Sequence, residues 1–271
     1  MKRLLFLSLI ILAFLFSCQQ SKQTSDSPWK LIWSDEFDSD GLPDSTKWAY
    51  DVGGHGWGNH ELQYYTDNRL ENASVENGYL ILEARRDFWQ DHEYTSTRLV
   101  TRGKAGWQYG RFEIRAKLPS GVGTWPAIWM LPVDWDLGDG KWPDNGEIDI
   151  MEHVGYDPGV IHGSTHCKTY YWRLGNQKTG TINIPDVQTA FHTYALEWNA
   201  DSISVYVDST CYFTNVNEKT GWESWPFDKD YYLILNIAVG GDWGAVQGVD
   251  ETIFPQRMEV DYVRVYRRRD K

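Results

Sequence analysis

The amino-acid sequence predicts an all-β domain in which two antiparallel sheets pack face to face as a sandwich. From Pro28 onward, short segments with alternating apolar residues are separated by Gly, Pro, Asn and Asp. We find no long helical periodicity and no internal repeat beyond the N-terminal segment. The chain has 271 residues, of which 41% are hydrophobic, so one large core can be buried in a single domain.

The N-terminal segment predicts export. Residues 1–17 have a basic start and then an apolar run, as in a secretory signal peptide, and the run is too short for a transmembrane helix. Cys18 follows at a position that resembles a bacterial lipobox, so we expect lipid modification there. Residues 18–28 then form a flexible tether, and 29–271 form the folded domain. We therefore expect an outer-membrane lipoprotein that contacts the membrane only through this anchor, with release into the medium as the alternative.

The strands follow from the alternation within each segment. In Ser202–Asp208, for example, Ile203, Val205 and Val207 point to one face. Ala200-Asp201 separates two such segments and is predicted to be the turn of a hairpin. The predicted strands are Tyr79–Ala84, Gly110–Pro119, His192–Asn199, Ser202–Asp208, Tyr231–Val239 and Glu259–Tyr266.

One short segment, 146–155, carries three carboxylates among β-prone apolar residues. Glu147 and Asp149 are two residues apart, so on a strand they share one face. Glu152 has the opposite parity, and an extra residue near Met151, a β-bulge, returns it to that face. The sequence therefore predicts three acids side by side.

Three adjacent carboxyl groups indicate the chemistry of glycoside hydrolysis. Like charges this close are unfavourable unless at least one group keeps its proton, and a protonated carboxyl beside an ionised one forms an acid–base pair. A retaining glycosidase needs such a pair about 5 Å apart. We assign Glu147 as nucleophile, Glu152 as general acid and then base, and Asp149 as the group that orients both. The alternative is a solvated strand face that carries acids by chance.

Composition indicates a neutral sugar polymer as the partner. The formal net charge of -12 opposes binding to nucleic acid and to anionic lipid. The chain contains 15 Trp, whose flat rings suit stacking on sugar faces. The glycine-rich run 53–58 lacks the strand–loop–helix setting of a phosphate site, so we expect it to shape a cleft wall. No spacing of Cys and His resembles a zinc site, and the sequence leaves open whether Cys167 and Cys211 form a disulfide.

Two histidines lie near the acid segment. His153 follows Glu152 directly, and structural hydrogen bonding is its expected role. His166 ends the polar run 162–166, which pairs beside the acid strand if the sheet is a meander. A substrate contact and a structural role are both open for His166.

Several motifs together resemble glycoside hydrolase family 16, and within it the laminarinase-like endo-β-1,3-glucanases. The residue inserted between the acids favours this bulged branch over the lichenase branch, and galactan-cleaving enzymes share it. The resemblance implies a β-jelly roll with an open concave substrate cleft, retention of anomeric configuration and no cofactor for catalysis. The matching motifs are Trp33-Ser-Asp-Glu-Phe37, Trp57-Gly-Asn-His-Glu-Leu-Gln-Tyr-Tyr65, Tyr94-Thr-Ser-Thr-Arg-Leu99, Tyr109-Gly-Arg-Phe112, Gly123-Thr-Trp-Pro-Ala-Ile-Trp-Met-Leu-Pro132 and Asp261-Tyr-Val-Arg-Val-Tyr266.

The resemblance also implies roles for individual residues. It supports the assignment of the three acids and places Trp125 and Trp129 on the donor side of the cleft. It implies a structural calcium ion, far from catalysis, held by Glu36, the backbone carbonyl of Gly78 and Asp261; pairing of these acids with Lys or Arg is the alternative. The implied substrate contacts are Asn59, Arg98, Trp107, Trp125, Trp129 and Trp243.

Taken together, the sequence predicts a monomeric endo-hydrolase of β-1,3-glucan, with mixed-linkage β-1,3-1,4-glucan as a second substrate. A galactan-cleaving enzyme, a transglycosylase and a non-catalytic glycan-binding protein are the alternatives. The loop 134–143, rich in Asp, Gly and Trp, lies directly before the acid segment and is predicted to narrow or cap the cleft.

Overall fold

The computed structural model describes residues 27–269, so the predicted signal peptide, Cys18 and most of the tether lie outside the described residues. Within this range the chain is built from strands and four short helical turns, which confirms the all-β prediction. The helical turns are Gly56–Gly58, Trp172–Leu174, Gly241–Gly244 and Glu251–Ile253. None of the helices formed by residues 27–269 has the length and apolar character needed to cross a membrane.

Seventeen strands are present in the described chain. They are β1 (Trp29–Asp35), β2 (Ala49–Tyr50), β3 (Gln63–Tyr65), β4 (Ala73–Glu76), β5 (Tyr79–Ala84), β6 (Tyr94–Ser96), β7 (Arg98–Val100), β8 (Gly110–Lys117), β9 (Thr124–Pro132), β10 (Glu147–Glu152), β11 (Val160–His166), β12 (Lys178–Asn183), β13 (His192–Trp198), β14 (Ser202–Val207), β15 (Thr210–Val216), β16 (Tyr231–Val239) and β17 (Gln256–Arg268).

Two large antiparallel sheets form the sandwich. The eight-stranded sheet has the order β15-β14-β13-β8-β17-β5-β4, and β1 pairs with β17 in addition. The seven-stranded sheet has the order β12-β11-β10-β9-β16-β7-β2. Strands β3 and β6 form a separate parallel pair. The predicted hairpin is confirmed as β13 and β14, and Tyr79–Ala84 and Tyr231–Val239 have the predicted bounds.

The core lies between the two sheets because strand residues alternate between its faces. On β8, Phe112 and Ile114 are fully buried, whereas the alternate residues Arg111 and Glu113 lie on the outer face. The seven-stranded sheet contributes Ile148 and its neighbours to the same core.

Strand β16 is buried along all nine residues because it is covered on both faces. Leu233 and Leu235 belong to the main core. The intervening side chains belong to a second apolar cluster, which lies on the opposite face of the seven-stranded sheet. This floor cluster consists of Val100, Leu131, Tyr232 and Ile234. The seven-stranded sheet therefore has an apolar floor on the face that points away from the core, and we call this face the site face.

Candidate active site

The three acids of β10 lie together on the site face, as the sequence predicts. The register with β9 shifts between Asp149 and Met151, and the register with β11 shifts between Asp149 and Glu152. One extra residue in β10 therefore places Ile150 and Met151 consecutively in the core. The predicted β-bulge is confirmed, and it returns Glu152 to the face of the other two acids.

Each glutamate accepts a hydrogen bond from a tryptophan. The indole Nε1 of Trp142 donates to Glu147 Oε2 at 2.9 Å, and that of Trp125 donates to Glu152 Oε1 at 3.1 Å. Asp149 lies between the two glutamates along the strand, with a side chain only 3% exposed. The two glutamates are thus held by matching donors.

Burial keeps protons on this cluster. The pKa of Glu147 rises to about 8, mainly because of burial and then because of the charge of Asp149. Burial likewise raises the pKa of Asp149 to about 8, and burial with the Asp149 charge raises that of Glu152 to about 8. Since the groups interact, the three acids titrate as one set and share protons near neutral pH.

His166 belongs to this cluster. Its partner across β10 and β11 is Glu147, and its Nε2 lies 3.3 Å from Asp149 Oδ2 and 3.9 Å from Glu147 Oε1. The structure therefore places His166 beside the acids. His153 is fully buried and its Nε2 accepts from the backbone N–H of Gly159, so it serves packing and structural hydrogen bonding.

Arginine and tryptophan side chains form one wall beside the acids. The guanidinium of Arg98 lies between the rings of Trp57 and Trp129, 4.7 Å and 4.6 Å from their centroids. Trp129 also donates its indole N–H to Asn236 at 2.7 Å and pairs with Asp149 across the strands. The predicted contact Trp129 therefore lies on the strand next to the acids, and the predicted contact Arg98, on β7, is held against its ring.

A polar network continues from this wall around a further, partly buried carboxyl, that of Glu61. Glu61 accepts hydrogen bonds from Asn59 at 3.2 Å, from Gln63 at 2.7 Å and from Tyr65 at 3.4 Å. Burial raises the pKa of Glu61. The predicted contact Asn59 is thus part of a network, and Glu61, inside the same sequence motif, was not identified from sequence.

Trp243 packs against two residues that are themselves neighbours of Glu152. Its ring packs edge-on to Trp125 at 5.4 Å and to His162 at 4.9 Å, and His162 is the strand partner of Glu152. Trp107 lies elsewhere. Its ring packs edge-on to Trp33 and Phe112 at one end of the main core.

The structure does not bring Trp107 to the acids, and its contacts are those of a packing residue. Two further tryptophans of the site were missed from sequence: Trp57 packs against Arg98, and Trp142 donates to Glu147. Trp57 lies in the glycine-rich run, and Trp142 belongs to the loop before β10. The abundance of Trp was the available signal, but it does not say which rings face the site.

A cavity of about 430 Å³ opens on the site face beside Arg98. Its floor includes Leu131 and Tyr232 of the floor cluster. The remaining lining residues are Tyr50, Asp51, Val52, Trp57, Arg102 and Trp135.

Two sets of residues carry atoms of the kinds that bind metal ions. Ligand atoms of Glu147, Asp149 and His166 lie within 4.8 Å of one another, a spacing that a metal ion tolerates. The predicted calcium positions lie on or beside neighbouring strands: Glu36 follows β1, Gly78 precedes β5, and both strands pair with β17, which carries Asp261.

Arginines occupy both predicted calcium carboxylates. Arg264 donates to Glu36 at 3.0 Å and 2.7 Å, and Arg115 donates to Asp261 at 2.5 Å. The oxygen donors suit a hard cation, but the two acids as arranged have ion-pair partners, which is the alternative that the sequence left open.

Within residues 27–269, Cys167 and Cys211 do not form a disulfide. Cys167 is buried and Cys211 is exposed, and both are free thiols. Burial raises the pKa of the Cys167 thiol, which makes it unreactive.

A β-sandwich with close, protonated carboxyls beside tryptophan rings defines a glycoside hydrolase. The profile of Glycosyl hydrolases family 16 matches residues 57–264. A beta-glucanase of Rhodothermus marinus is 55% identical over 98% of this chain and 96% of its own. A glucan endo-1,3-beta-glucosidase of Cryptopygus antarcticus is 39% identical over 87% of this chain and 91% of its own.

Solved structures agree with the sequence comparison. The laminarinase from Rhodothermus marinus superimposes with a TM-score of 0.88 at 59% identity, covering 89% of this chain and 98% of that one. The chain belongs to glycosyl hydrolase family 16 and has its jelly-roll fold, so the family resemblance predicted from sequence is confirmed. Glycosidases of this family need no catalytic cofactor.

Proposed function

We propose that this enzyme is a retaining endo-glycosidase that hydrolyses internal β-1,3-glucosidic bonds of laminarin-type glucans. The observation that carries the proposal is the set Glu147, Asp149 and Glu152 on one strand face, where burial holds protons. The similarity to glucan-cleaving relatives supports the choice of β-1,3-glucan. Mixed-linkage β-1,3-1,4-glucan is the second substrate.

The residues have complementary roles in the first step. Glu152 donates its proton to the glycosidic oxygen while ionised Glu147 attacks the anomeric carbon, so the C–O bond to the leaving sugar breaks and a glycosyl ester forms. Asp149 lies between them and changes the ionisation of both through its own charge. The Trp142 indole N–H fixes the direction of the Glu147 carboxylate.

The second step reverses the role of Glu152. As a carboxylate it accepts a proton from water, the water oxygen bonds to the anomeric carbon, and the ester bond to Glu147 breaks with retained configuration. A sugar hydroxyl in place of water gives transglycosylation. Product analysis at high oligosaccharide concentration separates the two outcomes, because transfer produces chains longer than the substrate.

Two relatives represent the competing functions. A keratan-sulfate endo-1,4-beta-galactosidase of Sphingobacterium multivorum is 36% identical over 88% of this chain, and a beta-1,3-glucan-binding protein of Penaeus monodon is 29% identical over 79%. A binding protein has no need for both Glu147 and Glu152, and this chain has both. The net charge of -12 disfavours a sulfated polymer.

The experiment incubates residues 19–271, the chain without signal peptide and anchor cysteine, with laminarin, barley mixed-linkage glucan, agarose and cellulose and follows reducing ends and product sizes. Short oligosaccharides from laminarin are the expected result. Cleavage of agarose alone would move the substrate to galactans, and no cleavage of any polymer would contradict the enzymatic proposal.

We propose that calcium stabilises the fold at Glu36, the carbonyl of Gly78 and Asp261. The support is that β1 and β5, beside which Glu36 and Gly78 lie, both pair with β17, the strand that carries Asp261. Thermal unfolding with and without a chelator tests this: calcium binding raises the Tm, whereas equal Tm values mean that Arg264 and Arg115 alone balance these acids.

We propose that the protein acts as a monomer tethered by lipid at Cys18, as the sequence predicts. Its support is the signal-like segment and the lipobox-like position before the tether. Fractionation of cells that produce the wild type or Cys18→Ala is the test, and equal membrane association of both would contradict the anchor.

A further inference from the structure

A second β-bulge, in the eight-stranded sheet, turns Tyr212 toward the acid strand. Val205 of β14 pairs with Phe213 of β15, and the next residue of β14 pairs with Cys211. Tyr212 is therefore the extra residue of β15. Neighbouring residues of a regular strand face opposite sides, but here Tyr212 packs against the main core although Phe213 beside it is buried in that core too.

The hydroxyl of Tyr212 bonds the acid strand from the core side. It donates to the backbone carbonyl of Ile150 at 3.0 Å. Strand β15 belongs to the eight-stranded sheet and β10 to the seven-stranded sheet, so this bond joins the two layers of the sandwich. Burial raises the pKa of Tyr212 well above its usual range, so the hydroxyl keeps its proton and remains the donor.

Ile150 is the residue at which the ladder of β10 is interrupted. It has no register partner on β9 and none on β11, whereas Asp149 before it pairs with both strands. The extra residue of a bulge is left out of the ladder, and a buried backbone carbonyl needs a hydrogen-bond partner. Tyr212 supplies such a bond from the opposite sheet.

Two glycines make room for Tyr212 beside the bulge. Gly163 and Gly180 are register partners on β11 and β12. Gly163 stands opposite the bulge, between the partners of Asp149 and Glu152. A Cβ at Gly163 would lie 2.9 Å from the Tyr212 hydroxyl oxygen, and one at Gly180 would lie 2.6 Å from the Tyr212 backbone oxygen. A larger residue at either position would therefore displace Tyr212 or its strand.

The bulge sets the position of one acid more than that of the others. Glu152 shares a face with Asp149 only because the bulge inserts one residue between them. The Ile150 carbonyl belongs to the peptide within this insertion, so loss of its partner allows that peptide to rotate and Glu152 to move. Glu147 lies on the other side of Asp149 and keeps its register partner on β11.

We propose that Tyr212 is a positioning residue for the general acid: its hydrogen bond to the Ile150 carbonyl fixes the bulge and thereby the place of Glu152. Tyr212 acts from the core, on the side of the sheet opposite to the site face, and does not touch the reacting atoms. The inference rests on the proposed role of Glu152 and is independent of which glucan is cleaved.

The experiment compares Tyr212→Phe with the wild type on two classes of substrate. On β-1,3-oligoglucosides the leaving sugar needs a proton from Glu152, whereas dinitrophenyl glycosides of the same oligosaccharides release a phenolate that needs none. Loss of the hydroxyl is expected to lower kcat/KM about tenfold on the oligoglucosides and less than about twofold on the dinitrophenyl glycosides. Equal losses on both classes, or no loss on either, would overturn the inference, because a merely structural role does not depend on the leaving group.

Tyr194→Phe is the matched control. Tyr194 is fully buried in the same core, and its hydroxyl has no hydrogen-bond partner among residues 27–269. This variant loses one buried hydroxyl, as Tyr212→Phe does, and is expected to match the wild type on both classes of substrate. If it shows the leaving-group dependence of Tyr212→Phe, the effect does not come from the bond to Ile150 and the inference is wrong.

Glu152→Gln separates this inference from the proposed function. It is expected to lose far more kcat/KM on the oligoglucosides than on the dinitrophenyl glycosides. If it loses equally on both, Glu152 is not the general acid, and the proposed mechanism fails together with the inference. If Glu152→Gln shows the dependence and Tyr212→Phe does not, the mechanism stands and only the positioning role of Tyr212 is wrong.

Discussion

Acids lie on the outer face of the eight-stranded sheet and on the site face of the seven-stranded sheet. The two faces differ in the cationic partners that these acids have. On the outer face Arg111 bonds Glu113 at 2.7 Å and Glu197 at 2.6 Å. On the site face, within residues 27–269, Glu147 and Asp149 have only His166 as an ion partner.

The difference in partners changes the protonation of the acids. Next to the outer face, the hydrogen bond from Arg264 lowers the pKa of Glu36. In the site, burial without a lysine or arginine partner raises the pKa of Glu147 and Glu152 to about 8. Strand geometry determines where an acid lies. Whether that acid is ionised or keeps its proton depends on its burial and on whether a cation lies beside it.

The largest effect is expected from removing the site acids. Glu147→Ala should lower kcat by at least about 10⁴-fold, because no nucleophile remains, and Glu152→Ala by about 10²- to 10⁴-fold. Both variants should keep the wild-type circular dichroism spectrum and glycan affinity. Appreciable turnover by Glu147→Ala without an added nucleophile would overturn the mechanism.

The second largest effect is expected on the pH dependence of the free energy of unfolding. Because the pKa of Asp149 is raised to about 8 in the folded state, the fold holds a proton that the unfolded chain loses above about pH 4, and stability falls as pH rises toward 8. Asp149→Asn removes this loss. Between pH 5 and pH 8, the free energy of unfolding of the variant should therefore rise by on the order of 2–4 kcal/mol relative to that of the wild type. Urea unfolding at both pH values is the measurement, and an equal difference at each pH would contradict the raised pKa.

The two indole donors should act on opposite limbs of the pH–rate profile. Each bond lowers the pKa of its glutamate, so loss of either bond raises that pKa. Trp142→Phe should move the acid limb, which reports ionised Glu147, upward by about 0.5–1 pH unit, whereas Trp125→Phe should move the alkaline limb. The profile of kcat/KM is the readout. If Trp142→Phe moves the alkaline limb and Trp125→Phe moves the acid limb, the glutamates have the reverse roles.

The smallest effect is expected on the outer face. Glu113→Gln removes one of the two carboxylates that bind Arg111, and should cost about 0.5–1 kcal/mol of stability. Activity should equal that of the wild type, because Glu113 lies on the opposite side of the core. A loss of activity without a loss of stability would show that the two faces are coupled.

Local pattern predicted the acid strand well. The parity of Glu147, Asp149 and Glu152 required one inserted residue, and that requirement came from alternation alone. The hairpin of β13 and β14 was equally accessible, because only residues 199–201 separate its strands. The register of this strand pair is therefore set by residues that are close together in the sequence.

Alternation within a segment does not predict contacts between segments that are distant in the chain. Arg98 lies between Trp57 and Trp129, and the three residues come from three different elements. Trp142 is only five residues before Glu147, but the hydrogen bond depends on how its loop folds back. Alternation also could not separate Trp107, which packs in the core, from the tryptophans of the site.

The pairing of β9 with β16 has a consequence for how the protein folds. Trp129 and Asn236, which are bonded across this pair, are 107 residues apart in the chain. The chain must close a loop of that length before the central strands meet, whereas β10 pairs with strands near it in sequence. Hydrogen exchange during refolding should therefore protect the β10–β11 amides before those of β16, so that the catalytic strand is formed before the surface that receives the sugar.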